Sequence, residues 1–212
     1  MERLVVVGNG MAGVACVEQI LKHASKFEIT IFGDETHLNY NRILLSSVLA
    51  GEKAADEIQL NGLEWYAKHG IVLRLGIRIT DVDAEGKMVT GDDDSKTPFD
   101  KLLIATGSTP LIPPMDGLEK EGLFVFRNLD DARALLDRAA PGKKAVVIGG
   151  GLLGLEAARG LQVQGCDVTV VHLMDTLMER QLDLFHPLRK GNRRGIGGSL
   201  LHSKRHVQRQ AR

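Results

Sequence analysis

Two short glycine runs in this sequence have a spacing suited to binding phosphate groups. The first, GNGMAG, places Gly8, Gly10 and Gly13 after the apolar run RLVVV and at the start of a helical pattern. In such a turn the first glycine allows a sharp bend, the second lets the backbone approach a pyrophosphate, and the third lets helix and strand pack closely. Backbone N–H groups and the helix dipole then face the phosphate charge. The spacing therefore predicts a dinucleotide site, the alternative being a turn that serves packing alone.

The second run, GGGLLGLEAA, repeats this spacing at Gly149, Gly151 and Gly154, between the apolar stretches KKAVVI and CDVTVVHL. The same strand-turn-helix-strand unit thus occurs twice, about 140 residues apart. Continuously apolar strands of this kind are typical of parallel sheets that are buried on both faces. Two such units predict two bound dinucleotides, and the economical pair is a flavin and a nicotinamide.

The residues that end the second strand of each unit differ. Asp34 and Glu35 follow FEITIFG at the distance expected for carboxylates that accept hydrogen bonds from ribose hydroxyls. In the second unit His172 stands where an acid would be expected. The sequence therefore does not support a strong NAD preference through the ribose 2′-hydroxyl, and the choice between NADH and NADPH stays open. The alternative for His172 is a strand-end residue near solvent.

The intervening segments predict further elements. Short helices are expected at ILLSSVLAG, NGLEWYAKHG and NLDDARALLDRAA, the last with Asn128 as its N-cap. IVLRL, IRITDVD and LFVF are typical of strands, and KMVT with the turn GDDDS indicates a small antiparallel sheet. The strand KLLIA leads into a tight turn at Ala105, Thr106 and Gly107, and STPLIPP marks a boundary.

The composition narrows the class of protein. The 212 residues are 43% hydrophobic with 24 glycines, as in one large or two small globular domains. Cys16 and Cys166 form no CxxC pair and are too few for a disulfide framework, so small buried cysteines in a reducing compartment are expected. No apolar run is long enough to span a membrane, and the N-terminus lacks a signal segment. We expect a soluble, cytoplasmic protein with no membrane partner, no metal site and no hydrolytic triad.

Taken together, GNGMAG, YNRILLSS, LLIATGSTP and GGGLLGLEAA resemble the two-dinucleotide flavoprotein reductases. That group includes rubredoxin and ferredoxin reductases and the N-terminal part of NAD(P)H-dependent nitrite reductase large subunits. With LMERQLD added, the set is most similar to the nitrite reductases, over residues 1–183. The resemblance implies a three-layer α/β fold with tandem Rossmann-like FAD- and NAD(P)-binding units, in which the second unit and the FAD domain are incomplete.

The resemblance also implies roles for individual residues. The FAD pyrophosphate would lie against Gly8, Gly10, Met11, Ala12 and Gly13, and its adenosine ribose against Asp34 and Glu35. Around the rest of FAD would lie Arg42 and Ser47 near the pyrophosphate, the backbone of Ile79 at the adenine, and Ala105, Thr106 and Gly107 over the cofactor. The nicotinamide dinucleotide would be framed by Gly149, Gly151, Leu152, Leu153, Gly154, Glu156 and His172. Since some relatives carry Lys in place of Ser47, that contact is the least specific, and Glu156 has the alternative of an exposed helix residue.

The implied activity is hydride transfer from NAD(P)H to FAD, followed by release of electrons toward nitrite reduction in another domain or protein. The alternatives are a rubredoxin- or ferredoxin-type reductase and, from another class, a non-catalytic nucleotide-binding protein with a basic arm. Iron–sulfur and sirohaem centres are expected only in further family domains, since no cysteine after Cys166 could ligate a cluster. The predicted segments are 1–110 for FAD, 111–183 for NAD(P) and 184–212 as a basic tail outside the family pattern.

The tail differs in charge from the rest of the chain. All 27 acidic residues precede residue 184, whereas the tail carries eight Lys and Arg and no acid, so the net charge of zero joins two unlike pieces. The tail could be a basic arm for nucleic acid, a disordered extension, or an out-of-frame or artificial ending. The abrupt change favours the last, with no nucleic acid as a partner. We then expect weak FAD retention, little turnover and a tendency to aggregate.

Overall fold

The computed structural model of the protein describes residues 1–23, 27–174 and 176–178. The predicted tail at 184–212 and the last part of the predicted nicotinamide segment lie outside the described residues. The chain divides into two compact units: the first comprises Met1–Arg42 and Ala55–Leu111, and the second comprises Ile43–Ala54 and the chain from Ile112 onward. The segment Ile43–Ala54, with most of YNRILLSS, thus belongs to the second unit, although the predicted FAD segment included it.

The described residues contain nine strands and five α-helices. The strands are β1 (Glu2–Val7), β2 (Phe27–Gly33), β3 (Val72–Leu75), β4 (Ile79–Asp83), β5 (Met88–Gly91), β6 (Lys96–Pro98), β7 (Lys101–Ile104), β8 (Lys144–Ile148) and β9 (Asp167–Val171). The helices are α1 (Met11–His23), α2 (Leu45–Leu49), α3 (Leu63–Lys68), α4 (Leu129–Arg138) and α5 (Leu152–Val163). A single 3₁₀ turn, Arg42–Leu44, precedes α2.

The first unit has three layers around a four-stranded parallel sheet of order β3-β2-β1-β7. Successive residues of a strand face opposite sides of its sheet. On one side Val6 of β1 packs with Val17 of α1 and Tyr66 of α3. On the other side Val5 packs against Val89 of the antiparallel sheet β4-β5-β6. Burial on both faces explains why the central strands are continuously apolar, and it confirms the predicted three-layer α/β class.

The second unit contains the parallel pair β8-β9 and helices α2, α4 and α5. Leu49 of α2 and Leu161 of α5 belong to one buried cluster. A Cβ atom at Gly160 would lie 2.7 Å from Cγ of Leu49, so a glycine is needed where α5 meets α2. On the side of β8 that faces away from this cluster, Val146 and Ile148 are 65% and 59% exposed.

Most predicted elements are found, including both strand-turn-helix-strand units and the antiparallel β4-β5-β6 excursion. The N-cap prediction is confirmed: Asn128 Oδ1 accepts from the Asp131 backbone N–H at 2.8 Å, and the Asp131 carboxylate accepts from the Asn128 N–H at 3.0 Å. The predicted strand LFVF, residues 123–126, is wrong, because this segment is irregular. Of this apolar segment, Phe126 packs on the second unit's core. None of the described sheets includes the segment as a strand.

No helix among the described residues combines the length and the apolar character needed to cross a bilayer. Both cysteines are free, with Cys166 buried and Cys16 half-buried. Cys16 belongs to the first unit and Cys166 belongs to the second.

Asp100 joins β7 to β1 through Arg3. Its Oδ2 accepts from the backbone N–H of Arg3 at 2.8 Å and from Nε at 3.1 Å, and its Oδ1 accepts from Nη2 at 2.9 Å. These hydrogen bonds from Arg3 hold the pKa of Asp100 well below its ordinary value. A carboxylate with a lowered folded-state pKa stabilises the fold above its unfolded-state pKa, and this contribution is lost as the pH falls toward the folded-state value.

We therefore predict that Asp100→Asn lowers the free energy of unfolding at neutral pH. The difference from the unsubstituted protein should shrink as the pH falls below about 4, the range in which a free aspartate protonates. Denaturant titrations at several pH values measure this, and Asp81→Asn on exposed β4 is the control that should change little. A difference between Asp100→Asn and the unsubstituted protein that does not vary with pH would contradict the assignment.

Candidate functional site

The first glycine turn is held by contacts that only glycine allows at two of its positions. Gly8 follows β1 with φ of +117°, and a Cβ there would lie 2.2 Å from the carbonyl oxygen of Ala105. A Cβ at Gly13 would lie 2.5 Å from the carbonyl oxygen of Gly8. Both distances are far below van der Waals contact, so the fold of the first unit itself requires Gly8 and Gly13.

Gly10 is different, because a Cβ built on it meets nothing within 4 Å. The fold therefore does not require a glycine at this position. Helix α1 begins at Met11, so the backbone N–H groups of Met11, Ala12 and Gly13 fall in the first turn, where no intrahelical acceptor exists. Open space beside Gly10, in front of these donors, fits the approach of a pyrophosphate.

Asn9, between the first two glycines, is a site residue that the sequence analysis missed. Its Oδ1 accepts a hydrogen bond from the Tyr66 hydroxyl at 3.0 Å. Its Nδ2 is buried and has no hydrogen-bond partner among the described residues. A buried donor without an acceptor is costly, so this atom favours an acceptor oxygen at the turn. The only sign of this role in the sequence was the amide side chain itself, because the position between the first two glycines of GxGxxG can hold any residue type.

The two acids after β2 lie in different environments. The Glu35 carboxylate accepts from the Tyr40 hydroxyl at 2.6 Å and from a guanidinium nitrogen of Arg42. Asp34 pairs with Arg78 at 3.4 Å, and both of these side chains are more than half exposed. Glu35 is therefore a fixed acceptor, whereas Asp34 is held only weakly.

Arg42 is tied to this same cluster. Its Nη1 donates to the Tyr40 hydroxyl at 3.1 Å, and its guanidinium carbon lies 5.1 Å from the centroid of the Tyr40 ring. Burial lowers the pKa of Arg42, but the hydrogen bond to Glu35 and the nearby negative charges outweigh burial and leave the pKa above its ordinary value. Arg42 is thus a permanent cation beside the predicted ribose carboxylate. The structure links it to Glu35, and its predicted place near the flavin side of the pyrophosphate stays a prediction.

The turn after β7 meets the first glycine turn. The Ala105 N–H donates to the Val7 carbonyl at 2.8 Å, and its own carbonyl lies against Gly8. Thr106 follows, and Gly107 adopts a φ of +77° that favours glycine. Ile79, predicted at the adenine, begins β4 and pairs with Gly91, one residue after the Arg78 that contacts Asp34. Three separate segments therefore converge on the carboxyl ends of β1 and β2.

The second glycine turn reproduces the first. Gly149 has a φ of +121°, and a Cβ at Gly154 would lie 2.1 Å from the Gly149 carbonyl oxygen. Gly151, like Gly10, has nothing within 4 Å of a built Cβ. The strand contact is also repeated, since Gly149 N–H donates to the Val171 carbonyl at 2.9 Å as Gly8 N–H donates to Phe32 at 2.7 Å. Leu152 and Leu153 begin α5 and are about half exposed.

His172 lies directly beside this turn. Its Nδ1 accepts a hydrogen bond from the Gly150 N–H at 3.0 Å, so the imidazole joins the end of β9 to the turn. A Cβ at Gly150 would lie 2.8 Å from its ring. The half-buried ring thus packs on the glycine turn as well as standing at the end of a strand.

Ser47 and Glu156 line one cleft of about 290 Å³ in the second unit. Helix α2 supplies Ser47, while α5 supplies Glu156 and Leu152. Glu156 is half-buried, so the alternative of a fully exposed helix residue does not hold. The cleft also contains Arg159, which the sequence analysis did not single out although it lies one helical turn from Glu156. A residue predicted for FAD and two predicted for the nicotinamide cofactor therefore share one cleft.

In the described part of the chain, no group of three or more His, Cys, Asp or Glu side chains is arranged to hold a metal ion. The site offers backbone N–H donors at two helix starts, the unpaired Asn9 amide donor and the fixed Glu35 carboxylate as an acceptor. These groups fit the pyrophosphate and ribose of a dinucleotide.

Comparisons with known proteins agree with this geometry. The family model described as pyridine nucleotide-disulphide oxidoreductase matches residues 2–188. Among curated proteins of Bacillus subtilis (strain 168), an assimilatory nitrate reductase electron transfer subunit is 51% identical over 86% of this chain and 24% of its own length. A nitrite reductase [NAD(P)H] from the same organism is 52% identical over 86% of this chain and 23% of its own length. The chain thus spans about a quarter of the length of these relatives.

A solved structure with the same arrangement is the NADH:rubredoxin oxidoreductase from Clostridium acetobutylicum. Its TM-score is 0.78 with 28% identity, over 88% of this chain and 48% of that chain. The crystal structure of the covalent putidaredoxin reductase-putidaredoxin complex is similar, with a TM-score of 0.78 and 28% identity over 84% of this chain and 44% of that chain. The family match over most of the chain and the paired glycine turns lead to one conclusion: the chain belongs to the pyridine nucleotide-disulphide oxidoreductase family.

Proposed function

We propose that the chain is an NAD(P)H:FAD oxidoreductase module that passes electrons toward nitrite reduction. In this proposal residues 1–110 hold FAD and residues 111–183 hold NAD(P)H. Ser47 of α2 is the exception, because it lines a cleft with Leu152 and Glu156 of the second unit. The observation that carries the proposal is the pair of turns whose middle glycines, Gly10 and Gly151, face open space. A close contact or a positive φ explains the other glycines of each motif, and the close approach of a ligand explains these two.

The chain's own groups would bind and orient the cofactors. Backbone N–H groups of Met11, Ala12 and Gly13 would donate to the FAD pyrophosphate, and the Asn9 amide would supply a further donor near it. The Glu35 carboxylate would accept from the adenosine ribose, with Ile79 at the adenine and Ala105, Thr106 and Gly107 against the cofactor. The α5 start at Leu152 and Leu153, with Gly149, Gly154 and His172 around it, would hold the nicotinamide dinucleotide.

When bound, FAD supplies the redox chemistry by accepting a hydride equivalent from NAD(P)H and releasing electrons onward. The cleft lined by Ser47, Glu156 and Leu152 would orient the reacting rings and limit water around them. Arg159 in the same cleft adds a positive charge that suits phosphate or carboxamide oxygens. These residues contribute position and electrostatics, and none of them needs to form a bond to substrate.

The destination of the electrons is inferred from the relatives. A nitrite reductase [NAD(P)H] at 52% identity supports nitrite reduction as the downstream reaction. An assimilatory nitrate reductase electron transfer subunit at 51% identity makes nitrate reduction the second candidate. Ferredoxin–NAD(+) reductase components of Pseudomonas putida are only 30–31% identical, which ranks a ferredoxin-type acceptor lower. With two free cysteines and no disulfide framework, the proposed compartment is the cytoplasm.

FAD binding tests the first turn. We predict that Gly10→Ala weakens the affinity for added FAD at least about tenfold, because the new methyl group excludes the pyrophosphate and costs charge-assisted hydrogen bonds. Its free energy of unfolding should change by less than about 1 kcal/mol, since the methyl group meets no protein atom. Flavin fluorescence titration and thermal unfolding of the ligand-free protein measure the two quantities.

The matched control is Gly13→Ala, three residues away. Its methyl group would collide with the Gly8 carbonyl, so we expect a loss of stability of about 1–3 kcal/mol. If Gly10→Ala binds FAD as tightly as the unsubstituted protein does, the first turn is not the FAD site.

The second turn supports the same comparison for the nicotinamide cofactor. Gly151→Ala should weaken NAD(P)H binding at least about tenfold and leave the fold and FAD affinity unchanged, because nothing lies within 4 Å of the added methyl. Gly154→Ala, whose methyl would meet the Gly149 carbonyl, should instead lower the unfolding temperature. Fluorescence of the reduced nicotinamide reports binding. Equal loss of FAD and NAD(P)H affinity in Gly151→Ala would argue against two separate sites.

Anaerobic reduction tests the activity. After saturation with FAD, which offsets the weak retention expected from the sequence, addition of NADH or NADPH should bleach the flavin absorbance of the unsubstituted protein in a single reduction, even if sustained turnover is low. Glu156→Gln should slow the bleaching, because the cleft then lacks the carboxylate of that residue. Gly151→Ala, titrated with the nicotinamide nucleotide at the same FAD concentration, should need at least about tenfold more of it for half-maximal rate. Tight binding of both cofactors without any bleaching would leave a binding protein and contradict the proposed oxidoreductase.

A further inference from the structure

Tyr40 lies at the centre of the charged cluster that follows β2, although its position in the sequence gave it no role. The residue is only 5% exposed. Its hydroxyl donates to Glu35 Oε2 at 2.6 Å, a short distance typical of an O–H group bonded to a carboxylate. A buried phenol would satisfy its single donor with any nearby carbonyl, and here it is directed at an ionisable side chain five residues earlier.

Arg42 completes the arrangement from the other side. Its Nη1 donates to the phenol oxygen of Tyr40 at 3.1 Å, while Nη2 donates to Glu35 Oε1. Its guanidinium also lies over the Tyr40 ring, 5.1 Å from the centroid, within the range of a cation–π contact. Because the phenol oxygen accepts from Arg42, its only hydrogen is left for Glu35, and the direction of that bond is fixed.

The consequence falls on the Glu35 carboxylate. Each of its oxygens is engaged by one partner, which fixes the rotation of the whole group. A carboxylate has about four lone-pair positions, so two protein donors leave capacity for ligand hydroxyls. Neighbouring Asp34 lacks such support, since its side chain is 55% exposed and reaches Arg78 only at 3.4 Å. Of the two acids after β2, Glu35 is therefore the preorganised acceptor.

We propose that Tyr40 is a positioning residue for FAD specificity, holding the Glu35 carboxylate in the orientation that accepts the adenosine ribose 2′-hydroxyl. The inference rests on the proposed function, because it assigns FAD to the first unit. It adds that recognition of the ribose depends on a phenol hydroxyl that acts through the Glu35 carboxylate. Removing that hydroxyl frees one carboxylate oxygen and lets Glu35 rotate toward Arg42.

The chain offers a matched comparison in Tyr66, its other tyrosine. Tyr66 is likewise buried, at 2% exposure, and its single hydroxyl hydrogen is shared between the side-chain oxygens of Asn9 and Asn39, which lie 3.0 and 3.3 Å from the phenol oxygen. Burial raises the pKa of Tyr66, so its phenol stays neutral under ordinary conditions. Loss of either hydroxyl removes a buried hydrogen bond, but only Tyr40→Phe removes one from Glu35.

The experiment compares FAD with an FAD analogue that lacks the adenosine 2′-hydroxyl, using the full chain. We expect the unsubstituted protein to bind FAD about tenfold more tightly than the deoxy analogue, as for one hydrogen bond to a charged acceptor. In Tyr40→Phe this ratio should fall to about two, whereas in Tyr66→Phe it should stay near ten even if both affinities decrease. In a Glu35→Gln background, adding Tyr40→Phe should leave the ratio unchanged, because the hydroxyl acts through the carboxylate.

The outcomes separate the two proposals. Absence of FAD binding by the unsubstituted protein overturns the proposed function and this inference together. If Glu35→Gln lowers the ratio while Tyr40→Phe keeps it near ten, the proposed function stands and Tyr40 serves packing only. Tyr40→Met, whose long apolar side chain has no hydroxyl, replaces Tyr40→Phe if that variant fails to fold, and the same lowered ratio is expected.

Discussion

The arrangement of each unit depends on one close approach, that of a helix's first turn to the carbonyl oxygen at the end of the preceding strand. A Cβ at Gly13 would lie 2.5 Å from the Gly8 oxygen, and one at Gly154 would lie 2.1 Å from the Gly149 oxygen. Because no side chain separates helix from turn, the first-turn N–H groups are held directly above the carboxyl end of the strand. The donors are thus fixed before any ligand arrives, and the ordering cost of binding falls mainly on the ligand.

This constraint leaves the ends of β2 and β9 free to differ between the units. In the first unit the strand end leads to Glu35, oriented by Tyr40 and Arg42. In the second it leads to His172, whose ring accepts a hydrogen bond from the Gly150 N–H and so supports the turn itself. The two units therefore share the turn geometry that is proposed to meet a pyrophosphate, and they differ in the residue near the end of the second strand, Glu35 in one and His172 in the other.

The parts that could be predicted from the sequence are those fixed by local rules. The glycine spacing, the apolar strands and the Asn128 cap each depend on residues within a few positions of one another, and each was found. The strand predicted at LFVF failed because pairing requires a neighbour that apolarity alone does not specify. Asn9 and Tyr40 were missed for a related reason. Asn9 acquires its role from Tyr66, far along the chain, and Tyr40 acquires its role from a loop conformation that spacing does not determine.

Charge balance explains why an arginine accompanies the ribose acceptor. The Glu35 and Arg42 side chains are 17% and 26% exposed, so neither ion is fully hydrated, and leaving either one unpaired would be costly.

A dinucleotide adds the negative charge of its pyrophosphate to the same strand ends. Without Arg42, the Glu35 carboxylate would repel that charge. The Arg42 guanidinium offsets this repulsion, because its positive charge lies against the carboxylate. The exposed Asp34–Arg78 pair is screened by solvent and contributes little to this balance. The half-buried Arg42–Glu35 pair therefore suits the proposed role of the carboxylate as a ribose acceptor beside a phosphate-binding turn.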